Sequence, residues 1–262
     1  MKANTSRRSR FAFGHDPNAY DRGRMSFSPW IVDWALDTSR FQPGHRVLEI
    51  GAGTGQLTVE LLAAGANLTA LEPSDNLADL LQNRYTGGDI QTFEIVRETF
   101  EDYVVPHQFP LVAAANSFHW LDPAISYRKA SEILDTDGRL CLFWYFPILA
   151  DSDVQDRVNS IVREAELEDL VREPVGYSES LKEVLAEGRN EVDESGYLRC
   201  RDWMLKPRSI LYSVDEYVDL ATTYASSKNV SELRDMLKSS VFHTETSVEL
   251  VVYEYVCIAA RS

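Results

Sequence analysis

No run of eighteen apolar residues occurs anywhere in the chain, so the sequence offers no membrane-spanning helix and no membrane partner is expected. Cysteine is scarce. Cys141, Cys200 and Cys257 are the only three, odd in number and widely spaced. That pattern excludes a disulfide framework and a zinc-ligand motif, and it suits reduced thiols in a cytoplasmic protein. Basic residues are outnumbered, 26 Lys and Arg against 41 Asp and Glu, for a net charge of −15. Proteins that bind nucleic acid draw most of their affinity from a basic face, so no nucleic-acid partner is expected. The basic start, with Lys2, Arg7, Arg8 and Arg10, has no apolar stretch behind it; it is read as a frayed tail rather than a secretory signal.

What is present is an ordinary globular composition, 44% hydrophobic and 26% charged over 262 residues. A chain of this length buries roughly three quarters of its unfolded surface, enough for a core without disulfide or metal. Its first half alternates strand and helix signals. RVLEI (46–50) is a short apolar run, and QLTVELLAAG (56–65) carries Leu57, Leu61, Leu62 and Ala64 at helical spacing before a Gly65 stop. NLTALE (67–72) is a second strand. Ser74 precedes a helix whose apolar face is Leu77, Leu80, Leu81 and Tyr85.

DIQTFEIV (89–96) and LVAAANS (111–117) follow as strands. Asp122-Pro123 opens a helix, expected to stop at Gly138, with Ile125, Ala130, Ile133 and Leu134 inward. RLCLFWYF (139–146) is a fifth strand. This rhythm predicts a parallel, doubly wound α/β sheet covered on both faces. Beyond about 147 it breaks. Residues 151–196 are rich in Asp and Glu and contain a polar helix over 154–171 and a soft stretch, GRNEVDESG. The α/β pattern returns in WMLKPRSILYS, in a capping box SVDE (213–216) that opens a helix through Tyr224, and in a last strand within 247–260.

The segments are therefore an N-terminal tail and cap (1–45), an α/β core (46–146), a helical insertion expected to act as a lid (147–198), and the completion of the core (199–262).

The chemistry concentrates in VLEIGAGTG (47–55), a strand that ends in glycines at alternate positions and opens a helix. Ligands of doubly wound sheets bind at such strand ends. A triphosphate loop would need Lys-Ser or Lys-Thr here, and none is present. The dinucleotide fingerprint G-x-G-x-x-G fails, because its third glycine position is Gln56. Glu49 at the strand end disfavours a pyrophosphate and suits a cationic ligand. Glu72, at the tip of the second strand, is placed to accept from both hydroxyls of a ribose.

E-x-G-x-G-x-G followed by an acidic second strand tip resembles the class I S-adenosylmethionine-dependent methyltransferases. With YDRGRMSFSP (20–29), LEPS (71–74), ETFEDY (98–103) and NSFHWLDP (116–123), the chain looks like their small-molecule branch, which includes trans-aconitate methyltransferase-like (methyltransferase type 11) proteins. It departs from that pattern at Met25, where relatives often have proline, and in its long acidic insertion.

The resemblance implies a seven-stranded Rossmann-like sheet with an antiparallel last strand, S-adenosyl-L-methionine as cofactor, and methyl transfer to a small-molecule acceptor by a monomer or homodimer. It places Glu49, Gly51, Ala52, Gly53 and Gly55 at the methionine end and Glu72 on the ribose. Pro73, Ser74, Thr99 and Phe100 fall at the adenine, Asn116 and Ser117 on the far wall, and Tyr20 and Arg24 near the cofactor carboxylate. Trp120, Trp144 and Tyr145 are expected to meet the acceptor.

His119 has two readings, a general base at the end of the fourth strand or a packed histidine beside Trp120. A cofactor-binding protein with a regulatory role is the alternative function. An RNA methyltransferase is disfavoured by NSFH, where a motif of N-P-P-[YF] type would stand.

Overall fold

The computed structural model describes residues 16–85, 92–165, 177–223 and 230–262. The N-terminal tail, Tyr224 and the first residues of the 89–96 strand lie outside the described residues. Two short helices, α1 (Pro17–Gly23) and α2 (Pro29–Thr38), precede the sheet. Its first half is β1 (Arg46–Ile50), α3 (Thr58–Ala63), β2 (Asn67–Leu71), α4 (Asp75–Tyr85), β3 (Phe93–Val96), β4 (Phe109–Ala115), α5 (Pro123–Ile133) and β5 (Leu134–Leu149). Then come α6 (Ser152–Glu164), α7 (Tyr177–Glu194), β6 (Leu198–Ser213), α8 (Val214–Thr222), α9 (Val230–Met236) and β7 (Ser247–Arg261).

The sheet order is β3-β2-β1-β4-β5-β7-β6. β1 to β5 pair in parallel, whereas β7 runs antiparallel to both β5 and β6. This is the expected α/β sheet with its last strand reversed. The order turns back between β1 and β4, and the crevice of a doubly wound sheet opens at such a point.

Alternation along the strands sorts side chains onto two faces. On one, Val47, Leu111, Cys141, Phe143 and Val256 pack with residues of α2, α3, α6, α8 and α9. On the other, Leu48, Val112, Leu142, Tyr255 and Cys257 pack with Tyr127 and Ala130 of α5 and Leu181 and Leu185 of α7. Helices α6 and α7, from the segment expected to be a lid, thus cover opposite faces of the sheet. Met25, the departure from the family pattern, is buried in the first of these cores.

Several boundaries differ from the sequence reading, among them β4 (Phe109–Ala115 rather than 111–117) and β5 (Leu134–Leu149 rather than 139–146). α5 stops at Ile133, because Leu134 already has extended dihedrals, φ −68 and ψ 141. Gly138 instead lets β5 approach β4, since a Cβ there would lie 2.9 Å from the Phe109 carbonyl oxygen. The soft stretch after Gly188 continues α7 to Glu194, its weak propensity overridden by the burial of Val192. α6 ends at Glu164, short of the expected 171, and residues 166–176 are not described.

Candidate active site

The glycine loop leaves β1 with three residues in the left-handed region: Gly51 (φ 68), Gly53 (φ 59) and Gly55 (φ 101). Only glycine takes up such dihedrals without Cβ strain, so the sequence dictates this turn. Space requires glycine as well: a Cβ on Gly51 would stand 2.7 Å from Cβ of Ser117, and one on Gly55 would stand 2.8 Å from Leu81. Gly51 and Ala52 donate their N–H groups to the Leu71 carbonyl, which ties the loop to the tip of β2.

Glu72, one residue beyond β2, closes the arrangement. It is 6% exposed and accepts from the backbone N–H of Gly53 and of Ser74, each at 2.8 Å. Burial raises its carboxyl above the usual range, and the two N–H donors pull it back. Each carboxylate oxygen has a further lone pair for a ligand.

A cavity of about 240 Å³ lies over these strand ends. Gly51, Gly53, Glu72, Pro73 and Ser74 line it from the β1 and β2 side, and Thr99 and Phe100 from the loop after β3. Asn116, Ser117, His119 and Trp120 enter after β4, Trp144 and Tyr145 from β5, and Tyr20 and Arg24 from α1 and its C-terminal cap. The structure thus brings together fifteen of the eighteen residues singled out in the sequence.

Glu49, Ala52 and Gly55 stand apart. Side-chain alternation turns Glu49 to the α3 face of the sheet, where it is 1% exposed and accepts from the Thr58 hydroxyl at 2.7 Å. It supports the loop from beneath, and of the motif Gly51 and Gly53, but not Glu49, line the cavity. Ala52 packs against Ala70 and Leu81, while Gly55 serves the turn.

Burial, with the Glu72 charge adding to it, pushes the Glu49 carboxyl up to about 8, so it is mostly protonated at neutral pH. A carboxyl raised on folding stabilises the fold at low pH and loses that contribution as pH rises through the folded value. Glu49→Gln is therefore expected to flatten the fall in thermal midpoint between pH 5 and 8.5, and parallel melts of parent and variant test this.

Several of the remaining groups fix one another. Asn116 sits at φ +50, donates its N–H to Phe143, and accepts from Tyr145 N–H at 3.3 Å through its side-chain oxygen. The Ser117 hydroxyl donates to the Ile50 carbonyl. These bonds hold the loop after β4 against its neighbouring strands.

The Thr99 hydroxyl donates to Asp102 at 2.7 Å, so it serves its own turn. Phe100 is 2% exposed and belongs to the core as well as to the wall. The Arg24 guanidinium stacks over the Tyr20 ring at 4.9 Å and donates to the Tyr145 hydroxyl at 3.4 Å. Its helix is tethered by Arg22 to the buried Asp219 and by Asp21 to Arg84, both at 2.7 Å.

His119 is held by Trp144, whose indole N–H donates to Nδ1 at 3.1 Å. Burial, with Arg24 nearby, pushes the imidazole down to about 4. At neutral pH the ring is uncharged, its Nδ1 lone pair is occupied, and its proton sits on Nε2. In that tautomer Nε2 carries the donor N–H.

Sequence reasoning missed Ile50, Leu71 and Ala115, the last residues of β1, β2 and β4, which the strand-end rule itself implies. It also missed Glu98 and Glu101, although both stand within the quoted ETFEDY, and Leu77, Leu121 and Pro147; Phe146 lines the cavity beside Trp144 and Tyr145 at the aromatic end of β5. Of the described residues of 147–198, only Pro147 lines the cavity.

Residues 48–142 match the family model described as a methyltransferase domain, Methyltransf_11. An uncharacterised methyltransferase of Mycobacterium tuberculosis is 33% identical over 133 residues, 51% of this chain and 51% of that protein. The chain therefore spans about half the length of the curated relatives it matches. Among solved structures, S-adenosylmethionine-dependent methyltransferases from Thiobacillus denitrificans and Geobacter sulfurreducens, both in complex with S-adenosyl-L-homocysteine, share the fold with TM-scores of 0.51 at 14% identity. The alignments cover 92% of this chain and 96% of the first, and 97% of this chain and 98% of the second.

Proposed function

We propose that residues 48–142, which match a methyltransferase domain, form a class I S-adenosylmethionine-dependent methyltransferase domain, and that this chain binds S-adenosylmethionine and transfers its methyl group to a small-molecule acceptor. The observation that carries the reading is the buried Glu72 carboxylate, bound to the Gly53 and Ser74 N–H groups beside a loop of left-handed glycines. That donor and acceptor set fits an adenosine whose ribose hydroxyls need a carboxylate and whose methionine portion must pass close to the backbone.

Charge fits too. Three carboxylates, Glu72, Glu98 and Glu101, and one cation, Arg24, line the cavity, which favours a ligand of net positive charge carrying one carboxylate. In this reading Glu72 holds the ribose, Gly51 and Gly53 admit the methionine portion, and Arg24, steadied by Tyr20 and Tyr145, meets the cofactor carboxylate. Pro73, Ser74, Thr99 and Phe100 bound the adenine. Trp120, Trp144 and Tyr145 face the acceptor.

When bound, the cofactor would supply a methyl group already activated by its sulfonium, with S-adenosylhomocysteine as the leaving group of an in-line attack by the acceptor. The protein's part is then mainly alignment and exclusion of water, effects that together supply up to roughly 7–11 kcal/mol. His119 orients the acceptor through Nε2–H, with Trp144 fixing its tautomer. Segment 147–198 sets acceptor choice, with Pro147 at the cavity and α6 and α7 anchoring its two sides. A small-molecule acceptor is favoured by the aromatic and acidic lining of the cavity.

The function is tested by incubating the protein with methyl-labelled S-adenosylmethionine and a metabolite extract, then searching by mass for a labelled product. A labelled small molecule is the expected result. Binding without any labelled product would leave the regulatory reading, and labelled RNA would replace the acceptor class.

The role of His119 is tested by its pH dependence. A ring neutral above about pH 5 gives no inflection in the rate between pH 5.5 and 8, and His119→Gln, which keeps a donor at the Nε2 position, is expected to retain more rate than His119→Ala. A limb near pH 6.5 that disappears in His119→Ala, with a loss of about 10²–10⁴ in rate, would restore the base.

A further inference from the structure

Cys200 on β6 and Cys257 on β7 are 57 residues apart in the chain, yet their sulfurs stand 3.1 Å apart, Cys257 donating to Cys200. The strands are adjacent and antiparallel. In the register Cys200 pairs with Ala259, Trp203 pairs with Cys257, and an irregularity lies between Cys200 and Asp202. That extra residue breaks the regular pleat at the point where the two thiols turn toward each other.

Both sulfurs are free thiols, Cys257 buried and Cys200 half-buried. They lie on the face of the sheet covered by α7, and the Cys200 N–H donates to Asp193 of that helix at 2.7 Å. β6 is an edge strand, hydrogen-bonded to β7 alone. An edge strand is free to move by the roughly 1 Å that separates this contact from a sulfur–sulfur bond of about 2.05 Å.

We propose that Cys200 and Cys257 are a reversible thiol-oxidation site that closes to a β6–β7 disulfide when a hydroperoxide reacts at Cys200. Cys200 is the attacking sulfur. It is the more accessible of the two, and the hydrogen bond it accepts from Cys257 lowers its thiol below the ordinary value, while that same bond and burial raise Cys257. The Cys200 thiolate attacks the terminal peroxide oxygen and the O–O bond breaks, giving a sulfenic acid and an alcohol, or water from hydrogen peroxide. The Cys257 sulfur then attacks the sulfenic sulfur and the S–O bond breaks. The hydroxide that leaves takes the Cys257 proton and departs as water. Two electrons and two thiol hydrogens pass from the pair to the hydroperoxide, and a dithiol reductant returns them.

Cys141 is the internal comparison. It is 1% exposed, its thiol is pushed up to about 12 by burial, and its neighbour at 3.0 Å is the Ser39 hydroxyl rather than a second sulfur. The site is independent of the methyl-transfer reading, so failure of either leaves the other standing.

The test is treatment of the fully reduced full-length protein with a small molar excess of hydrogen peroxide, followed by alkylation in denaturant, intact mass measurement and peptide mapping. The expected product is a monomer with one alkyl adduct, on Cys141, whose mass less that adduct is about 2 Da below the reduced protein, and a peptide containing Cys200 is linked to one containing Cys257. Dithiothreitol restores three alkylated thiols, and Cys200→Ser shows no linked product. Three alkylated thiols after peroxide, a Cys200 sulfinic or sulfonic acid without the link, or a link only between two chains would each overturn the proposal.

Discussion

Glu72→Ala is expected to weaken binding of S-adenosylmethionine and S-adenosylhomocysteine by about one to two orders of magnitude. The side chain is 6% exposed and already serves two backbone donors, Gly53 N–H and Ser74 N–H. Removing it leaves both donors and the two ribose hydroxyls of the ligand without their acceptor in a dry site. A buried polar group left unsatisfied costs about 1–3 kcal/mol, and 1.4 kcal/mol is tenfold in affinity. The loop loses its anchor together with the ligand, so the loss exceeds that from an exposed carboxylate such as Glu98. Glu72→Gln is expected to fall between, since it keeps one carbonyl oxygen and presents an NH₂ where a donor already points. Calorimetric titration with S-adenosylhomocysteine measures both variants. An affinity of Glu72→Ala within twofold of the parent would show that the ribose is held elsewhere.

Gly53→Ala is expected to cost tenfold or more in cofactor affinity, and Gly44→Ala is its control. Both glycines have positive φ, 59 at Gly53 and 88 at Gly44. Each substitution therefore carries a backbone strain of about 1–2 kcal/mol. A Cβ on Gly44 meets nothing within 4 Å, whereas one on Gly53 projects to 3.4 Å from the Tyr20 hydroxyl, across the space assigned to the methionine portion. The two variants are expected to lose similar amounts of thermal stability while only Gly53→Ala loses the ligand. Equal affinities in the two would mean that the ligand does not pass over Gly53.

The glycine loop and the strand tips were legible because each depends on neighbours in the chain. Glycines at 51, 53 and 55 take left-handed dihedrals that other residues resist, and a short apolar run such as VLEI bounded by turn glycines reads as a strand. Glu72 was legible for the same reason, one residue past an apolar strand. Glu49 was not. It is the same residue type, but it stands within β1 level with Ala70 of β2, short of the strand tip that Glu72 overhangs, and its side chain lies beneath the loop on Thr58. Trp144 and Tyr145 were read together as meeting the acceptor. They point to opposite faces of the sheet, and both reach the cavity because β5 runs on past the tips of its parallel neighbours.

His119 shows the limit most directly. Its type and its position after β4 were compatible with a base or with packing. The indole N–H of Trp144, 25 residues away, occupies Nδ1, and burial lowers the ring to about 4. Nothing in NSFHW encodes either fact. The same holds for the cysteines. Their spacing argued for isolated thiols, and the register of β6 on β7 set two of them 3.1 Å apart.

Periodicity, turn dihedrals and caps are properties of a few consecutive residues, so the sequence by itself determined the alternating α/β order, the glycine turn and the carboxylate at the tip of β2. Strand register, the face a side chain takes, and the protonation of a buried group depend on segments far apart in the chain and on water being excluded between them. Only the packed molecule decided those, because the energies that set them arise when the distant surfaces meet.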